Sequence, residues 1–316
     1  MKTRKLGSTG IDLTVIGLGT WAHGGGKWAF SWGKQDDKES IATTIAAIKE
    51  GINWVDTAAV YGLGHSEEVL GRTLKKLKQK PFIATKCGLT WDSSGKIENN
   101  LRTKSVRKEC EASLRRLQLD TIDLYQIHWG NPDEQIEEGW TTIAELIKEG
   151  KVRYGGVSNF SAAQMKRIQP IHPIASLQPP YSMLKRNAED DLLDFCAQNK
   201  IGIIAYSPLQ KGLLTGKITS EYIAKMGADD HRRRDPMFNA PMFPLIAAKV
   251  EALKEIAAKN KITSAQLAIA WILRRPEVTA AIVGARKPEQ IKQMVPAADI
   301  IISAADLAQI EKILAK

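Results

Sequence analysis

The chain has 316 residues, of which 43% are hydrophobic and 25% charged, and this composition is typical of a globular protein. No apolar run reaches the ~20 residues of a membrane span, and the opening MKTRKLGSTG lacks the apolar core of a signal peptide. We therefore expect a cytoplasmic protein without a membrane partner. The net charge of +10 is spread along the chain apart from the cluster HRRRD at 231–235, which favours a solvated basic surface over nucleic-acid binding.

Eight short apolar and β-branched runs alternate with longer amphipathic segments. In chain order the runs are TVIGLG (14–19), NWVDT (53–57), PFIATK (81–86), TIDLYQIH (121–128), VRYGGVSN (152–159), PIASLQ (173–178), IGIIAYS (201–207) and TAAIVG (279–284). The segments 103–117 and 136–147 each place their apolar residues on one helical face. This alternation predicts an α/β fold, a single (β/α)8 TIM barrel over residues 1–316.

Helix starts can also be read between the runs. Asp36 with Glu39 forms a capping-box pattern, and Ser66 followed by acidic residues predicts a second N-cap. A doubly wound sheet is the competing fold, but GLGTWA (17–22) begins the GxGxxG dinucleotide pattern without completing it.

Two segments lie outside the alternating pattern. Residues 2–13 predict an N-terminal β-hairpin that closes the bottom of the barrel. Residues 206–242, after strand seven, form a long loop rich in Gly, Arg and Pro with little periodicity. A loop of that length in a compact domain usually has a function. The cysteines Cys87, Cys110 and Cys196 form no metal-binding pair and indicate a reducing compartment, so we expect no metal site.

Active sites of such barrels lie at the carboxyl ends of the strands. Polar residues at or just beyond these ends are Asp56, Tyr61, Lys86, His128, Ser158, Asn159, Gln178, Tyr206, Ser207 and Arg286, with Gly284 at the end of strand eight. Each residue taken singly could have an ordinary structural role. Their convergence on one face of one barrel favours a shared site.

The stretch DTAAVYG at 56–62 suggests what this site does. A Tyr has an unperturbed pKa of about 10, and a neighbouring cation such as Lys86 would lower it. Asp56 could hold that buried Lys86 charged, while His128 could direct a ring N–H at the oxygen that Tyr61 protonates. These roles predict a site that reduces a carbonyl group: Tyr61 supplies the proton as general acid, and a hydride donor must bind nearby.

The same residues lie in motifs that resemble the aldo-keto reductase family. These motifs cover nearly the whole chain: GLGTW (17–21), DTAAVYG (56–62), ATK (84–86), LYQIHW (124–129), GVSNF (156–160), LQPPYS (177–182), AYSPLQKGLLTGK (205–217) and VGARKPEQI (283–291). The closest pattern is the bacterial NADPH-dependent branch that resembles general stress and inositol-linked reductases. Channel β subunits are more distant relatives.

The resemblance implies a catalytic tetrad of Asp56, Tyr61, Lys86 and His128. It implies a bound nicotinamide cofactor, NADP(H) rather than NAD(H), because Arg286 with Lys287 suits a 2′-phosphate. The implied cofactor-binding residues are Thr20, Trp21, Ser158, Asn159, Gln178, Tyr206, Ser207, Leu209, Lys211, Gly284, Arg286 and Gln290. The family often has an acid and an amide after that glutamine to hold adenine, where this chain has Gln293 and Met294.

The aromatic residues predict a mouth for small aldehydes or ketones. The expected substrate-binding residues are Trp21, Trp28, Trp32 and Trp129, with Phe30 and Trp91 in loops at the same mouth. We also expect one arginine of the 232–234 cluster either to reach a cofactor phosphate or to be a solvated charge. We expect a monomer.

Two alternatives remain open from the sequence. Lys86 could form a Schiff base as in an aldolase, although the adjacent Asp56 works against a neutral lysine. The chain could also be a cofactor-binding redox-sensing subunit with slow turnover, as the more distant channel subunits suggest.

Overall fold

The strands of the protein form one closed parallel barrel and two small antiparallel sheets. They are taken from a computed structural model that describes residues 1–315. The strands are β1 (Thr3–Lys5), β2 (Asp12–Thr14), β3 (Ile16–Gly19), β4 (Trp54–Asp56), β5 (Phe82–Cys87), β6 (Leu89–Trp91), β7 (Ile97–Asn99), β8 (Ile122–Ile127), β9 (Val152–Ser158), β10 (Ser176–Gln178), β11 (Gly202–Ala205) and β12 (Val278–Gly284). The barrel order is β3-β4-β5-β8-β9-β10-β11-β12, and β12 pairs back to β3.

Helices surround the barrel. Over residues 1–315 they are α1 (Asp37–Lys49), α2 (His65–Leu74), α3 (Thr103–Leu117), α4 (Ile136–Lys148), α5 (Ala162–Ile168), α6 (Leu192–Gln198), α7 (Ser220–Ala224), α8 (Met242–Lys259), α9 (Ser264–Leu273), α10 (Pro288–Met294) and α11 (Ala304–Ala315). α9 packs on β12, while α8 and α11 pack on each other outside it. The predicted TIM barrel is therefore confirmed, with every predicted run supplying one barrel strand. None of the described helices is long and apolar enough to cross a membrane.

The N-terminal hairpin β1–β2 covers the amino end of the barrel, as the sequence predicts. Thr3 pairs with Thr14, and Arg4 on β1 donates hydrogen bonds to the carbonyl oxygens of Leu273 and Arg275 at 2.7 and 2.9 Å. Leu6 in the hairpin turn is fully buried against residues of the barrel interior. The hairpin therefore covers this end of the barrel.

Apolar side chains fill the lower interior of the barrel. Trp54 on β4 is fully buried there and donates from Nε1 to the Thr14 carbonyl oxygen at 2.9 Å. Its ring occupies the space beside Gly17, where a Cβ would lie 2.1 Å from the nearest indole carbon. Only glycine fits at position 17, and the pairing of Gly17 with Trp54 blocks the barrel axis beneath the site.

The two predicted helix starts have different outcomes. Asp36 caps α1 by accepting a hydrogen bond from the Glu39 amide at 3.0 Å. The Ser66 prediction was wrong, because α2 begins two residues earlier than an N-cap at Ser66 implies, at His65, with Gly64 as its N-cap in the left-handed region at φ 104°. The Ser66 hydroxyl instead donates to the Thr20 carbonyl oxygen at 3.0 Å. It thereby connects α2 to the loop after β3.

The long segment after β11 is folded rather than irregular. It contains α7 and three 3₁₀ turns at Gln210–Thr215, His231–Arg234 and Pro236–Phe238. It packs against the loop after β3, because the His231 amide donates to the Ser31 carbonyl oxygen at 2.9 Å and the Ser31 hydroxyl donates to the Asp229 carbonyl oxygen at 2.8 Å. These two loops together wall one side of the open barrel end.

Candidate active site

A cavity of about 1010 Å³ opens at the carboxyl end of the barrel. Its wall brings together most of the residues that the sequence predicts for the site. Those that line it are Trp21, Trp28, Trp32, Asp56, Tyr61, His128, Trp129, Ser158, Asn159, Gln178, Tyr206, Ser207, Leu209, Lys211, Gly284, Arg286 and Gln290. Lys86 lies just behind the wall and is cut off from solvent.

Tyr61 is held in a tight turn beyond β4. Gly62, the next residue, has φ 63°, and a Cβ there would lie 2.1 Å from the Gly24 carbonyl oxygen. The turn therefore packs directly on the backbone of the loop after β3. The Tyr61 ring stacks on Trp21 with centroids 6.0 Å apart and planes inclined by 12°.

Lys86 near the end of β5 links Asp56 and Tyr61, the acid and the phenol of the DTAAVYG motif. Its ammonium lies 2.7 Å from Asp56 Oδ2, 2.8 Å from the Thr57 carbonyl oxygen and 3.4 Å from the Tyr61 hydroxyl. Burial lowers the pKa of Lys86, while the adjacent Asp56 acts in the opposite direction. An ammonium so paired is a cation beside the phenol rather than a free nucleophile, which disfavours the Schiff-base alternative.

The other oxygen of Asp56 is held by amides. Gln178 donates from Nε2 to Asp56 Oδ1 at 2.8 Å, and Gln126 donates to the same atom at 3.5 Å. We did not predict Gln126 as a site residue. A signal was present, because Gln126 on β8 precedes His128, the residue just beyond the strand, by two positions, and side chains two positions apart in an extended chain face the same side.

The pKa of Tyr61 is opposite to the prediction. Burial raises it well above 10, and the charges of Asp56 and Tyr206 raise it further. Removing the phenol from water disfavours the phenolate more than the ammonium 3.4 Å away favours it. Tyr61 is therefore protonated at neutral pH.

His128 presents a neutral imidazole beside Tyr61. The two rings meet edge to face, with centroids 6.0 Å apart and planes inclined by 79°. Burial lowers the pKa of His128 well below 6.5, and the nearby Lys86 charge lowers it further. A neutral His128 has one ring N–H to donate, so an oxygen bound between the two side chains can meet two hydrogen-bond donors.

A cluster of polar side chains lies next to this pair. Asn159 donates from Nδ2 to the His128 carbonyl oxygen at 2.9 Å and to Ser158 Oγ at 3.0 Å. The Tyr206 hydroxyl donates to Asn159 Oδ1 at 2.9 Å, and burial raises the Tyr206 pKa to about 12. Asn159 and Ser207 both have positive φ, at 58° and 54°. Such backbone conformations cluster at ligand sites, where surrounding contacts stabilise them.

Two predicted residues are not brought to the cavity. The Thr20 side chain is fully buried and bonded to the Asp56 carbonyl oxygen and the Ser66 hydroxyl, at 3.1 and 2.9 Å, so it does not line the cavity. Trp91 lies on β6 beside Arg116, 5.9 Å from its guanidinium, and does not line the cavity either. The position of a residue beyond a strand predicts at which end of the barrel it lies. It does not predict whether another element covers its side chain.

Aromatic rings surround the mouth of the cavity. Trp129 and Phe30 are 43% and 47% exposed, while Trp28 is 8% exposed. Trp32 packs edge to face against Trp21 with centroids 5.5 Å apart. The mouth therefore offers an apolar wall and an exposed rim close to Tyr61.

The far end of the cavity carries basic side chains that already have partners. Arg286 donates from Nε to Gln35 Oε1 at 2.7 Å and from Nη1 to the Trp32 carbonyl oxygen at 3.3 Å, and its Nη2 donates to the Lys34 carbonyl oxygen. The Lys211 ammonium pairs with Asp235 at 2.6 Å. Two of the five Arg286 N–H groups remain for a ligand.

The arginines of 232–234 have three different environments. Arg232 lines the cavity but is 5% exposed, pairs with Asp230 at 2.6 Å and stacks on Trp32, so it is not a solvated charge. Arg233 donates to the Met226 carbonyl oxygen at 2.8 Å away from the cavity wall. Arg234 lines the cavity and donates to the Ala29 carbonyl oxygen. His231, the first residue of the HRRRD cluster at 231–235, also lines the cavity. We did not predict it, because only the arginines of that cluster were considered as ligands.

Comparison with known proteins places this geometry in a family. The model of the aldo/keto reductase family matches residues 15–315. The chain is 39% identical to the aldo-keto reductase YhdN of Bacillus subtilis (strain 168), with 99% of this chain and 94% of the relative covered. It is 37% identical to the NADH-specific methylglyoxal reductase of Escherichia coli (strain K12), with 97% and 96% covered.

A solved structure agrees in fold. The glycerol dehydrogenase AKR11B4 from Gluconobacter oxydans superposes with a TM-score of 0.88 at 37% identity, with 99% of this chain and 94% of that chain covered. The family model spans the barrel and all of the residues assembled around the cavity. The chain therefore belongs to the aldo/keto reductase family and is an oxidoreductase of carbonyl compounds.

Proposed function

We propose that this protein reduces small aldehydes and ketones with NADPH, with Tyr61 as the general acid. The observation that carries the proposal is the position of Lys86, whose ammonium is paired with Asp56 and lies 3.4 Å from the Tyr61 hydroxyl at the cavity floor. The pair with Asp56 keeps this ammonium charged in the protein interior, and a cation beside a phenol stabilises the negative charge that the phenol acquires when it gives up its proton.

The side chains account for the proton half of the reaction. A carbonyl oxygen held between the Tyr61 hydroxyl and the His128 ring accepts two hydrogen bonds, which polarise it. When bound, the nicotinamide cofactor supplies the hydride. Tyr61 then gives its proton to the developing alkoxide, a far stronger base than a phenolate, so a raised pKa does not prevent the transfer. Lys86 stabilises the phenolate that remains.

The cavity fits a nicotinamide cofactor in size and in chemistry. It runs from Tyr61 to Gln290 and Met294 and encloses about 1010 Å³, the upper end of the range for ligand pockets. Ser158, Asn159 and Gln178 offer hydroxyl and amide groups to a carboxamide, and Tyr206 offers a ring face to the nicotinamide. Ser207, Leu209 and Lys211 would line the diphosphate.

The choice between NADPH and NADH depends on the adenosine end. Arg286 keeps two N–H donors and its full charge for a 2′-phosphate, and Lys287 beside it is largely exposed. The relative from Escherichia coli is NADH-specific by name, so related chains differ on this point. We expect Arg286→Ala to raise the dissociation constant of NADPH about 10-fold while that of NADH changes little, because a charge-assisted hydrogen bond is lost. Equal changes for both cofactors would argue against a 2′-phosphate contact.

The test of the function is NADPH oxidation with methylglyoxal, glyceraldehyde and a nitrobenzaldehyde, repeated with NADH. Tyr61→Phe should lower turnover by about 10²–10⁴-fold, the usual contribution of a general acid, without weakening cofactor binding. Tyr154→Phe is the matched control, since Tyr154 lies at the hairpin end of the barrel, 3.5 Å from the Thr9 carbonyl oxygen. Full activity in Tyr61→Phe would overturn the role of Tyr61. Cofactor binding with no turnover of any carbonyl would instead support a redox-sensing subunit.

A further inference from the structure

Glu109 is a buried carboxyl group that the reaction proposed above does not use. It lies on α3 and is 8% exposed. Burial raises its pKa to about 7, and Arg116, whose charge acts in the opposite direction, forms its ion pair with Glu67 at 2.7 Å. A carboxyl group is buried at a cost unless hydrogen bonds replace those it made with water. The hydrogen-bond partners of Glu109 therefore indicate what it does.

Glu109 holds a backbone amide at the end of β5. Its Oε2 accepts from the Gly88 amide at 2.9 Å, and its Oε1 accepts from the Ser105 hydroxyl at 3.1 Å. Gly88 directly follows β5, is buried and has φ 89°. A Cβ at this position would lie 2.6 Å from Leu101 Cδ2, so the turn requires glycine. Glu109 supplies the acceptor that this buried N–H needs.

The residues on both sides of Gly88 contribute to the active site. Two positions before it, Lys86 places its ammonium 3.4 Å from the Tyr61 hydroxyl. One position after it, Leu89 lines the cavity and packs against the same buried apolar cluster as Tyr61. The backbone conformation at Gly88 therefore sets how two parts of the site meet the general acid.

A single peptide group also connects Glu109 to His128. This group contains the Gly88 N–H, which donates to Glu109, and the Cys87 carbonyl oxygen. That oxygen accepts from the His128 amide at 2.9 Å. Because a peptide group is planar, a tilt that moves its N–H also moves its carbonyl oxygen. A change at Glu109 is thereby transmitted to the backbone of His128, whose ring meets Tyr61 edge to face.

We propose that Glu109, by holding the end of β5, is a positioning residue that keeps Lys86 and His128 in place for carbonyl reduction. The proposal rests on the function proposed above. Glu109 is not among the residues that line the cavity, so it acts through the backbone rather than by contact with substrate or cofactor. The contact requires an oxygen acceptor and not a charge, since a protonated carboxyl group still accepts through its carbonyl oxygen.

The test compares three substitutions of Glu109. Glu109→Met keeps a side chain of similar length and removes both oxygens. Glu109→Asp keeps the charge but shortens the side chain, which withdraws the oxygens from the Gly88 amide. Glu109→Gln keeps an acceptor oxygen for Gly88 and offers an N–H to the Ser105 hydroxyl oxygen.

The measurement is the rate of hydride transfer from NADPH to methylglyoxal, glyceraldehyde and a nitrobenzaldehyde in a single turnover, which isolates the chemical step. Glu109→Met and Glu109→Asp should slow this step by about 10–100-fold, because small displacements of reacting groups have effects of this size. Glu109→Gln should stay close to the wild type. The dissociation constant of NADPH should change little in all three variants, since the residues proposed to hold it lie on or beyond strands other than β5 and β8.

Glu111→Met is the matched control, because it makes the same substitution on the same helix. Glu111 accepts from Lys151 at 3.2 Å on the exposed surface, so its loss should leave hydride transfer unchanged. Hydrogen exchange followed by NMR gives a second measure. The His128 amide should exchange faster in Glu109→Met than in the wild type and in Glu109→Gln. Melting curves identify a misfolded variant, and Glu109→Asp decides the outcome if Glu109→Met does not fold.

Wild-type rates of hydride transfer in Glu109→Met and Glu109→Asp would overturn the positioning role while leaving the proposed function intact. An equally large loss in Glu109→Gln would also overturn it, because the acceptor oxygen would then not be what matters. The same holds if weaker NADPH binding accounts for the whole loss. Absence of turnover by the wild-type enzyme with every carbonyl would overturn both the positioning role and the proposed function.

Discussion

Lys86 Nζ lies 2.7 Å from Asp56 Oδ2, and the two side chains are 0% and 4% exposed. The pair joins the ends of β4 and β5, neighbouring strands in the barrel. Asp56 balances the charge of Lys86 through Oδ2, while Gln178 and Gln126 donate hydrogen bonds to Asp56 Oδ1. The ammonium that faces Tyr61 is therefore compensated and positioned before any ligand binds.

Breaking this pair on one side should be costly. We expect Lys86→Met to lower the free energy of unfolding by about 3–5 kcal/mol, because the Asp56 carboxylate is left buried without its cation. The double variant Lys86→Met with Asp56→Asn should regain most of that loss, since no buried charge remains. Urea denaturation of the two proteins measures both values. A loss below about 1 kcal/mol in the single variant would contradict this account.

The direction of the pKa shifts sets the pH dependence of the reaction. Burial raises the pKa of Tyr61, so its proton stays available for reduction across neutral pH, and reduction should decline only above about pH 10. The reverse oxidation of an alcohol needs the phenolate and should rise with pH. His128, whose pKa is lowered, should give no inflection near its ordinary value of 6.5. Profiles of kcat/KM in both directions test this, and a decline of reduction centred near neutral pH would show that Lys86 outweighs burial.

His23 should contribute a titration to stability that is separate from the chemistry. It is 2% exposed, its Nε2 lies 2.9 Å from the Ala285 carbonyl oxygen, and burial lowers its pKa to about 4. Because the unfolded chain binds this proton near pH 6.5 and the folded chain only near pH 4, stability is retained above 6.5 and lost on acidification between the two values. The loss should be about 3 kcal/mol from this residue alone.

The measurement is the free energy of unfolding at about pH 7 and about pH 4, in the wild type and in His23→Gln, which keeps an N–H donor. The free energy of unfolding should differ less between the two pH values in His23→Gln than in the wild type, by about 3 kcal/mol, because the variant has no imidazole to bind a proton. Equal differences in the two proteins would mean that His23 already binds its proton in the folded state.

The contact of Gly17 with Trp54 should not tolerate a methyl group. Gly17→Ala places a Cβ 2.1 Å from the indole ring inside the closed barrel, and we expect a loss of about 3 kcal/mol or more from overpacking. Gly284→Ala is the control for stability, since nothing lies within 4 Å of the Cβ it would add. Thermal melting of the two variants tests the contrast, and similar melting temperatures would contradict it.

Much of this arrangement could be predicted from the sequence. The eight runs became the eight barrel strands, and residues at their ends meet in one cavity because parallel strands in a barrel end on the same side. The N-cap at Asp36 was correct because a cap depends on its nearest neighbours in the chain. The cap at Ser66 was wrong because Thr20, far away in the chain, takes its hydroxyl.

Strand alternation and the order of polar strand ends are local properties of the chain, so the sequence by itself determined the barrel and the set of residues around Tyr61. The tertiary structure alone decided which way the Tyr61 pKa moves, because burial and the distances to Lys86 and Asp56 have no signature in the sequence. It also decided that Arg286 binds residues 32–35. These features arise where loops from distant parts of the chain pack together, and no local pattern encodes such contacts.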